Sequence, residues 1–260
     1  MSYLEAIALG VVQGLTEFLP VSSSGHLAVG HLVLGEPSPE TVAFDVLVHG
    51  ATLLVIFGVF GRLMLNLLRE NRRLLLVILA ASVPTALVGL YWREDMAALG
   101  RSPLALAGCF AVTGCFLWSS ARAAREEDAP AEAAAWRVPL VEALLVGLAQ
   151  ALALAPGVSR SGVTISTGRL CGIGAERAVA FSFLLGTPAI VGALIAESGP
   201  IAGLAHSDPG PLAAGFAAAF ASGLLAMGLL RHVARRGALP RFAPYCFLMA
   251  AACLVLAAVK

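Results

Sequence analysis

Gln13 to His26 reads QGLTEFLPVSSSGH and sets a carboxylate, three hydroxyls and an imidazole inside an otherwise apolar stretch. Those are the groups that nucleophilic and acid–base chemistry uses. Gln13 and Glu17 are four residues apart and share one face of a helix. Pro20 ends that helix, so Ser22, Ser23, Ser24 and Gly25 follow as an irregular, hydroxyl-rich turn closed by His26. A second polar island, Gln150 to Thr164, reads QALALAPGVSRSGVT and carries Arg160 between Ser159 and Ser161. An arginine deep in apolar surroundings costs about 2.5–3.5 kcal/mol even on lenient scales. It therefore has to face a partner, and its planar fork of donors matches phosphate or carboxylate oxygens. Gly157 and Gly162 let backbone N–H groups approach an anion closely. A helix starting after Gly162 would aim its positive end at the same place. One island offers the reactive groups and the other an oxyanion cradle. A phosphate ester or anhydride held by Arg160 and attacked near Ser23 or His26 would use both.

The elements that position these groups form a duplicated unit. At an offset of 137 residues the chain superimposes on itself without a gap, pairing Gly10 with Gly147, Gln13 with Gln150, Leu15 with Leu152 and Val21 with Val158. The same offset pairs Ser22 with Ser159, Ser24 with Ser161, Gly25 with Gly162, Ala43-Phe44 with Ala180-Phe181 and Leu47 with Leu184. The copies have diverged where it matters: Ser23 is matched by Arg160, and Glu17 by Leu154.

Composition defines the solvent. The chain is 59% hydrophobic and 13% charged, with mean hydropathy +0.88, whereas a soluble domain carries about 25% charge. This is the composition of an integral membrane protein. A net charge of +1 gives no reason to expect nucleic acid as a partner. The N-terminus, MSYLEAIALG, has neither a basic n-region nor a small-residue cleavage site, so no cleaved signal is expected. The five cysteines are scattered through apolar runs without a Cys-x-x-Cys and read as small core residues.

The expected fold is an all-α polytopic membrane protein with an inverted-topology repeat: six transmembrane helices plus two re-entrant helix pairs. Residues 4–19 fall short of the ~20 apolar residues a span needs and, with 27–34, form a helix pair that enters and leaves by one face. Residues 139–155 and 163–173 repeat that plan around Pro156-Gly157. Spans are expected at about 42–60, 74–92, 103–120, 177–197, 211–230 and 242–259. Residues 1–120 form repeat 1, 121–137 a charged linker and 138–260 repeat 2. The segments 61–73, 121–137, 169–177 and 231–241 hold thirteen arginines, against Arg93, Arg101 and Lys260 on the other side. The positive-inside rule then puts the linker in the cytoplasm and both termini outside it. Three crossings per repeat turn the second copy upside down, and the tips Ser22–His26 and Ser159–Thr164 meet near the midplane.

At these residues the chain resembles a known family. EFLPVSSSGH and PGVSRSGVTIS are similar to the two signature motifs of the undecaprenyl-diphosphate phosphatases, the family that confers bacitracin resistance. FDVLVHG at 44–50 and FSFLLGTP at 181–188 also match its pattern, and the resemblance covers essentially the whole chain. It implies an inner-membrane enzyme that removes one phosphate from the C55 isoprenyl diphosphate and recycles the lipid carrier for peptidoglycan and other envelope polymers. Its site opens to the outer side, and bacitracin competes by binding the substrate; a homodimer is allowed for. Glu17, Ser23, His26 and Arg160 take the catalytic places, and Ser22, Ser24, Gly25, Ser159, Ser161, Gly162 and Thr164 the substrate-binding ones. The family requires a divalent cation such as Mg²⁺ or Ca²⁺, which falls to Gln13 and Glu17. Gln13 stands where some relatives carry a glutamate, so Glu17 is the one acid of the motif, and an ion would be completed by substrate phosphates and water. The nucleophile is Ser23, His26 or a water activated by His26 and Glu17; Ser23 is favoured because its hydroxyl occupies the repeat-equivalent position of Arg160.

Two other functions fit part of the pattern. A polyprenyl-phosphate flippase would use Arg160 and the glycines equally well but has less need of Glu17, three serines and His26 at one tip. A general lipid phosphatase is echoed by Ser24-Gly25-His26, but no Lys-x6-Arg-Pro motif accompanies it. The remaining polar residues have structural readings. Glu17 could simply pair with Arg160. Gly10, Gly14 and Gly147 read as close-packing positions, and His31 and His49 as satisfied polar groups, with Asp45 pairing with His49. His206, His232 and the acids Glu126, Glu127 and Asp128 read as solvated loops, and Arg62, Arg69, Arg72, Arg73, Arg235 and Arg236 as the topology signal and headgroup contacts.

Overall fold

The computed structural model describes residues 1–34, 39–123, 136–196 and 209–259. The core of the linker (Glu126, Glu127 and Asp128 with it), His206 and Lys260 lie outside the described residues, as does the side chain of His31.

The described residues are helical, with no strand among them. In order the helices are α1 Tyr3–Phe18, α2 Ser23–Leu34, α3 Pro39–Arg69, α4 Arg72–Tyr91, α5 Arg93–Leu99 and α6 Pro103–Ser119. After the linker come α7 Leu140–Leu152, α8 Arg160–Leu170, α9 Ala175–Ala196, α10 Pro209–Arg235 and α11 Ala243–Val259. Six of these, α3, α4, α6, α9, α10 and α11, are long and apolar enough to cross a membrane. They fall on the six expected spans, although α3 runs on to Arg69 and α10 to Arg235. His232 therefore sits in the last turn of α10 rather than in a loop. The helices α1, α2, α7 and α8 have 16, 12, 13 and 11 residues. At about 1.5 Å per residue none of the four spans a hydrocarbon layer of about 30 Å.

Helix starts follow local chemistry. Ser2 caps α1 in a capping box: its hydroxyl accepts from Glu5 N at 3.3 Å, and Glu5 Oε2 accepts from Ser2 N at 2.8 Å. Asn71 caps α4, and Ser102 followed by Pro103 opens α6. The starts also carry the repeat: Tyr3 and Leu140, Ser23 and Arg160, and Arg72 and Pro209 each stand 137 residues apart.

Packing pairs follow the same exchange. Helix α1 packs on α10 and its counterpart α7 packs on α4; α3 packs on α10 and α9 on α4; α3 also meets α9, and α6 meets α11. Small residues allow this. A Cβ at Gly10 would overlap the Gly215 carbonyl, one at Gly14 the Ser222 hydroxyl, and one at Gly147 the Ala81 carbonyl. Between apolar helices such contact is van der Waals packing that only small side chains permit. All five cysteines are free. Arg231 and Arg235, on the last turns of α10, grip Glu176 at the start of α9 at 2.8 and 3.3 Å, so Arg235 serves a structural ion pair as well as the charge bias.

Candidate active site

Helix α1 stops at Phe18 because Pro20 follows, and its last turns turn Gln13 and Glu17 to one side. Gln13 Nε2 donates to Glu17 Oε2 at 3.1 Å. Ser23 opens α2 and donates its hydroxyl to the same oxygen at 2.8 Å. From the second half, Arg160 Nη2 donates to Glu17 Oε1 at 2.6 Å. The Glu17 side chain is 8% exposed and that of Arg160 16% exposed. A buried carboxylate thus collects a guanidinium, a hydroxyl and an amide from three places in the chain.

The two tips meet. Ser161 Oγ donates to the Leu19 carbonyl at 3.4 Å. Gly25 lies against Gly157, where an added Cβ would stand 2.7 Å from the Gly157 Cα. Thr113 on α6 ties the second tip down, donating to the Gly157 carbonyl and accepting from Ser159 N, both at 2.9 Å.

Arg160 is seated by what surrounds it. Its Cζ lies 5.5 Å from the centroid of the Phe183 ring, within cation–π range. Its Nη1 is buried and has no hydrogen-bond partner among the described residues. A Cβ at Gly186 would occupy the position of Nη1, so α9 leaves out a side chain there to admit the guanidinium. Gly186→Ala is accordingly expected to push Arg160 off Glu17 and lower turnover by about 10²-fold, the scale of a 1 Å misplacement. A kinetic comparison with Gly192→Ala, where a Cβ meets nothing within 4 Å, checks it.

A cavity of about 290 Å³ opens at this cluster. Its polar lining is Glu17, Ser22, Ser23, Ser24, His49, Ser159 and Arg160, with Thr16 beside them. Its apolar lining includes Val46, Leu154, Val158, Ile190 and Leu194. Six of the expected site residues therefore share one cavity: Glu17, Ser22, Ser23, Ser24, Ser159 and Arg160.

The others stand elsewhere, each for a physical reason. Gln13 sits behind Glu17 and is 2% exposed. Gly25 and Gly157 are packing positions: Cβ atoms there would meet the Phe110 ring and Cys109 Cβ at 2.6 and 2.8 Å. Helix α8 begins at Arg160, not after Gly162, because Ser159 caps it and its hydroxyl accepts the Gly162 N–H at 3.2 Å. That amide is therefore spent on the cap and is not offered to an anion. Thr164 Oγ1 donates to the Arg160 carbonyl and lies within hydrogen-bond reach of Ser182 Oγ, both at 2.6 Å, tying α8 to α9. His26 does not line the cavity: its Nδ1 lies 2.7 Å from the Ser22 carbonyl and its Nε2 2.6 Å from the Tyr245 hydroxyl.

The imidazole at the cluster belongs to His49, on α3. Its Nε2 is 3.6 Å from Glu17 Oε2. Its Nδ1 lies 2.6 Å from the Asp45 backbone oxygen, a pairing through the main chain. A signal for His49 was present in the repeat: the offset of 137 matches it with Gly186, the residue that makes room for Arg160.

Gln13 and Glu17 are engaged with one another, and Gln13 Oε1 is buried with no hydrogen-bond partner among the described residues. Both Glu17 oxygens already accept from Arg160, Ser23 and Gln13, and a cation on Oε1 would sit against the guanidinium. Among the described residues no group of three or more His, Cys, Asp or Glu is placed to hold a metal ion.

Fold and site together define an integral membrane protein with a buried arginine fork and a seryl hydroxyl set on one carboxylate at the edge of a cavity. The family model described as "Bacitracin resistance protein BacA" matches residues 6–252. The chain belongs to that family. It is 38% identical over 263 residues to an undecaprenyl-diphosphatase of Carboxydothermus hydrogenoformans, covering 99% of this chain and 98% of the relative. It is 40% identical over 260 residues to the undecaprenyl-diphosphatase of Syntrophotalea carbinolica, with 96% and 97% covered. A relative of the same name in Korarchaeum cryptofilum is 36% identical over 274 residues, with 98% and 100% covered.

Proposed function

We propose that this chain is a membrane phosphatase that hydrolyses undecaprenyl diphosphate to undecaprenyl phosphate and inorganic phosphate. It would thereby recycle the lipid carrier used in peptidoglycan and envelope polymer synthesis, and bacitracin would compete by binding that substrate. The observation that carries this is Arg160: its guanidinium is fixed on Glu17, and its side chain, 16% exposed, lines the same cavity as Ser23. A guanidinium held in place beside an open cavity is a fitting donor to phosphoryl oxygens.

In this reading the terminal phosphoryl group lies against the Arg160 side chain and the Arg160 and Ser161 amides at the start of α8. Ser23 Oγ attacks the terminal phosphorus and its proton leaves toward Glu17 Oε2, 2.8 Å away. His49 Nε2, 3.6 Å from that oxygen, supports the developing charge balance. The bond from phosphorus to the bridging oxygen breaks, and the lipid monophosphate departs. Water then cleaves the phosphoseryl bond, and the proton returns to Ser23. Charge stabilisation and positioning do most of the work in such transfers. A divalent cation, Mg²⁺ or Ca²⁺, would supply further charge neutralisation when bound; Glu17 would hold it only by giving up contacts to Arg160, Ser23 or Gln13.

The fold reading extends the same way. The exchange of packing partners between halves, together with helices too short to span, supports an inverted repeat of residues 1–120 and 138–260 with two re-entrant pairs. The arginine bias supports a cytoplasmic linker, termini outside, and a site opening to the outer side of the bacterial cytoplasmic membrane. The test is phosphate release from a C55 or C15 isoprenyl diphosphate by the purified protein in detergent, with and without EDTA. Release by the wild type that EDTA abolishes is the expected result. Retention of lipid phosphate without any release would move the reading to a carrier, which the same cavity could serve.

A further inference from the structure

We propose that Tyr245 is a positioning residue for the nucleophile, acting through His26 on the strained turn at Ser22; this rests on the phosphatase reading above. Ser22 has φ +70°, and no other non-glycine among the described residues has positive φ. An L-residue holds that conformation only where its surroundings over-determine it. Three hydrogen bonds do so here. Gly25 N donates to Ser22 Oγ at 3.2 Å, and His26 N donates to the Ser22 carbonyl at 3.2 Å. The third comes from the His26 ring, whose Nδ1 lies 2.7 Å from the same carbonyl.

A carbonyl oxygen can only accept, so the proton sits on Nδ1. The neutral ring then carries its lone pair on Nε2, where the Tyr245 hydroxyl donates at 2.6 Å. Both ring nitrogens are engaged, and neither is free to exchange a proton with Ser23 or a water in the cavity. The ring itself is gripped on two sides. It stacks on Tyr245 at 5.7 Å with an interplanar angle of 9°, and Phe110 meets it edge-on at 5.7 Å. Cys246, next in the chain, is fully buried and donates to the Pro20 carbonyl at 3.6 Å. The start of α11 thus holds the α1–α2 turn at two adjacent points. Ser23 follows Ser22 directly, so the left-handed φ of Ser22 sets the direction from which the Ser23 hydroxyl reaches Glu17. The coupling runs from Tyr245 through His26 and Ser22 to Ser23.

Tyr245→Phe removes the hydroxyl and keeps the ring stack. It is expected to lower kcat by about 10–100-fold, the scale for outer partners that orient a site residue, with KM unchanged within about twofold and the melting temperature unchanged. Imidazole ¹⁵N spectra of the full-length protein give a readout that does not need turnover. The wild type should show His26 protonated at Nδ1 with a hydrogen-bonded Nε2, and the variant an unbonded Nε2. Three results would overturn the proposal: wild-type kcat in Tyr245→Phe, a parallel loss of kcat, KM and melting temperature, or an Nε2-protonated His26 in the wild type. A wild type that releases no phosphate yet shows the expected ¹⁵N pattern would sink the phosphatase reading instead, leaving the hydrogen-bond chain as drawn.

Discussion

Arg160→Ala is expected to lower phosphate release by on the order of 10³-fold or more, the scale on which an arginine stabilises a phosphoryl-transfer transition state. Two effects add. The variant loses the fork that would meet the phosphoryl oxygens, and it strands Glu17, which is 8% exposed and bonded to Arg160 at 2.6 Å. Breaking a buried pair from one side costs about 3–5 kcal/mol, so the single variant should also melt earlier. Arg160→Lys separates the effects: it keeps the charge but has no planar fork to span Glu17 and a phosphate together. It should fold normally and remain slow. The double variant Glu17→Leu, Arg160→Leu should regain stability, since an apolar pair can replace a buried ion pair at little cost, and yet release no phosphate. Denaturation in detergent followed by tryptophan fluorescence, beside the phosphate assay, distinguishes these outcomes. Turnover of Arg160→Ala within tenfold of wild type would remove the arginine from the reaction.

Arg160 and Glu17 were readable from the chain because an ion in apolar sequence has no cheap explanation. The offset of 137, which brings serine onto serine and glycine onto glycine without a gap, also relates three pairs of helix starts. The six spans follow from length and apolarity alone. The misplacements are all cases where a local explanation was available. His49 has Asp45 four residues before it, which satisfies a histidine on a helix, and only the packing of α3 on α1 brings its Nε2 to Glu17. His26 adjoins the serines in sequence, but the first turn of α2 carries its ring to Tyr245, 219 residues away. The sequence points to a helix starting after Gly162, whereas in the structure Ser159 caps it and Gly162 supplies the capped amide.

Divergence between the two halves marks the site more sharply than any single motif. At equivalent positions Glu17 stands against Leu154, Ser23 against Arg160 and His49 against Gly186. All six of these residues lie at the one cluster: five line the cavity and Gly186 admits the guanidinium. Gln13 and Gln150, which agree between the halves, are both buried but bond differently: Gln13 donates to Glu17 at 3.1 Å, and Gln150 to Thr85 Oγ1 and the Leu185 carbonyl at 3.2 and 3.3 Å. The first half of the chain thus supplies the carboxylate, the hydroxyl and, from α3, the imidazole, and the second half supplies the cation.

Ser23→Ala is expected to lower turnover by on the order of 10⁴-fold or more, the scale lost when a nucleophile is removed from a cooperating unit, with substrate binding retained. The three serines are not equivalent. Ser22 Oγ accepts the Gly25 amide and is committed to the turn. Ser24 is exposed, and its hydroxyl lies 3.5 Å from that of Ser22. Among the three, it is the Ser23 hydroxyl that donates to Glu17, and so has a proton acceptor already in place. Glu17 keeps Arg160 and Gln13 when Ser23 is shortened, so the variant should fold and hold the lipid diphosphate as the wild type does. Rapid quenching with substrate labelled at the terminal phosphate provides the direct check. Label should appear covalently on Ser23 in the wild type and be absent from Ser23→Ala. If the variant turns over within tenfold of the wild type and neither protein carries label, water attacks the phosphorus directly. Ser23 would then be a ligand that orients Glu17, and the carboxylate, with His49 beside it, would be the group that activates the water.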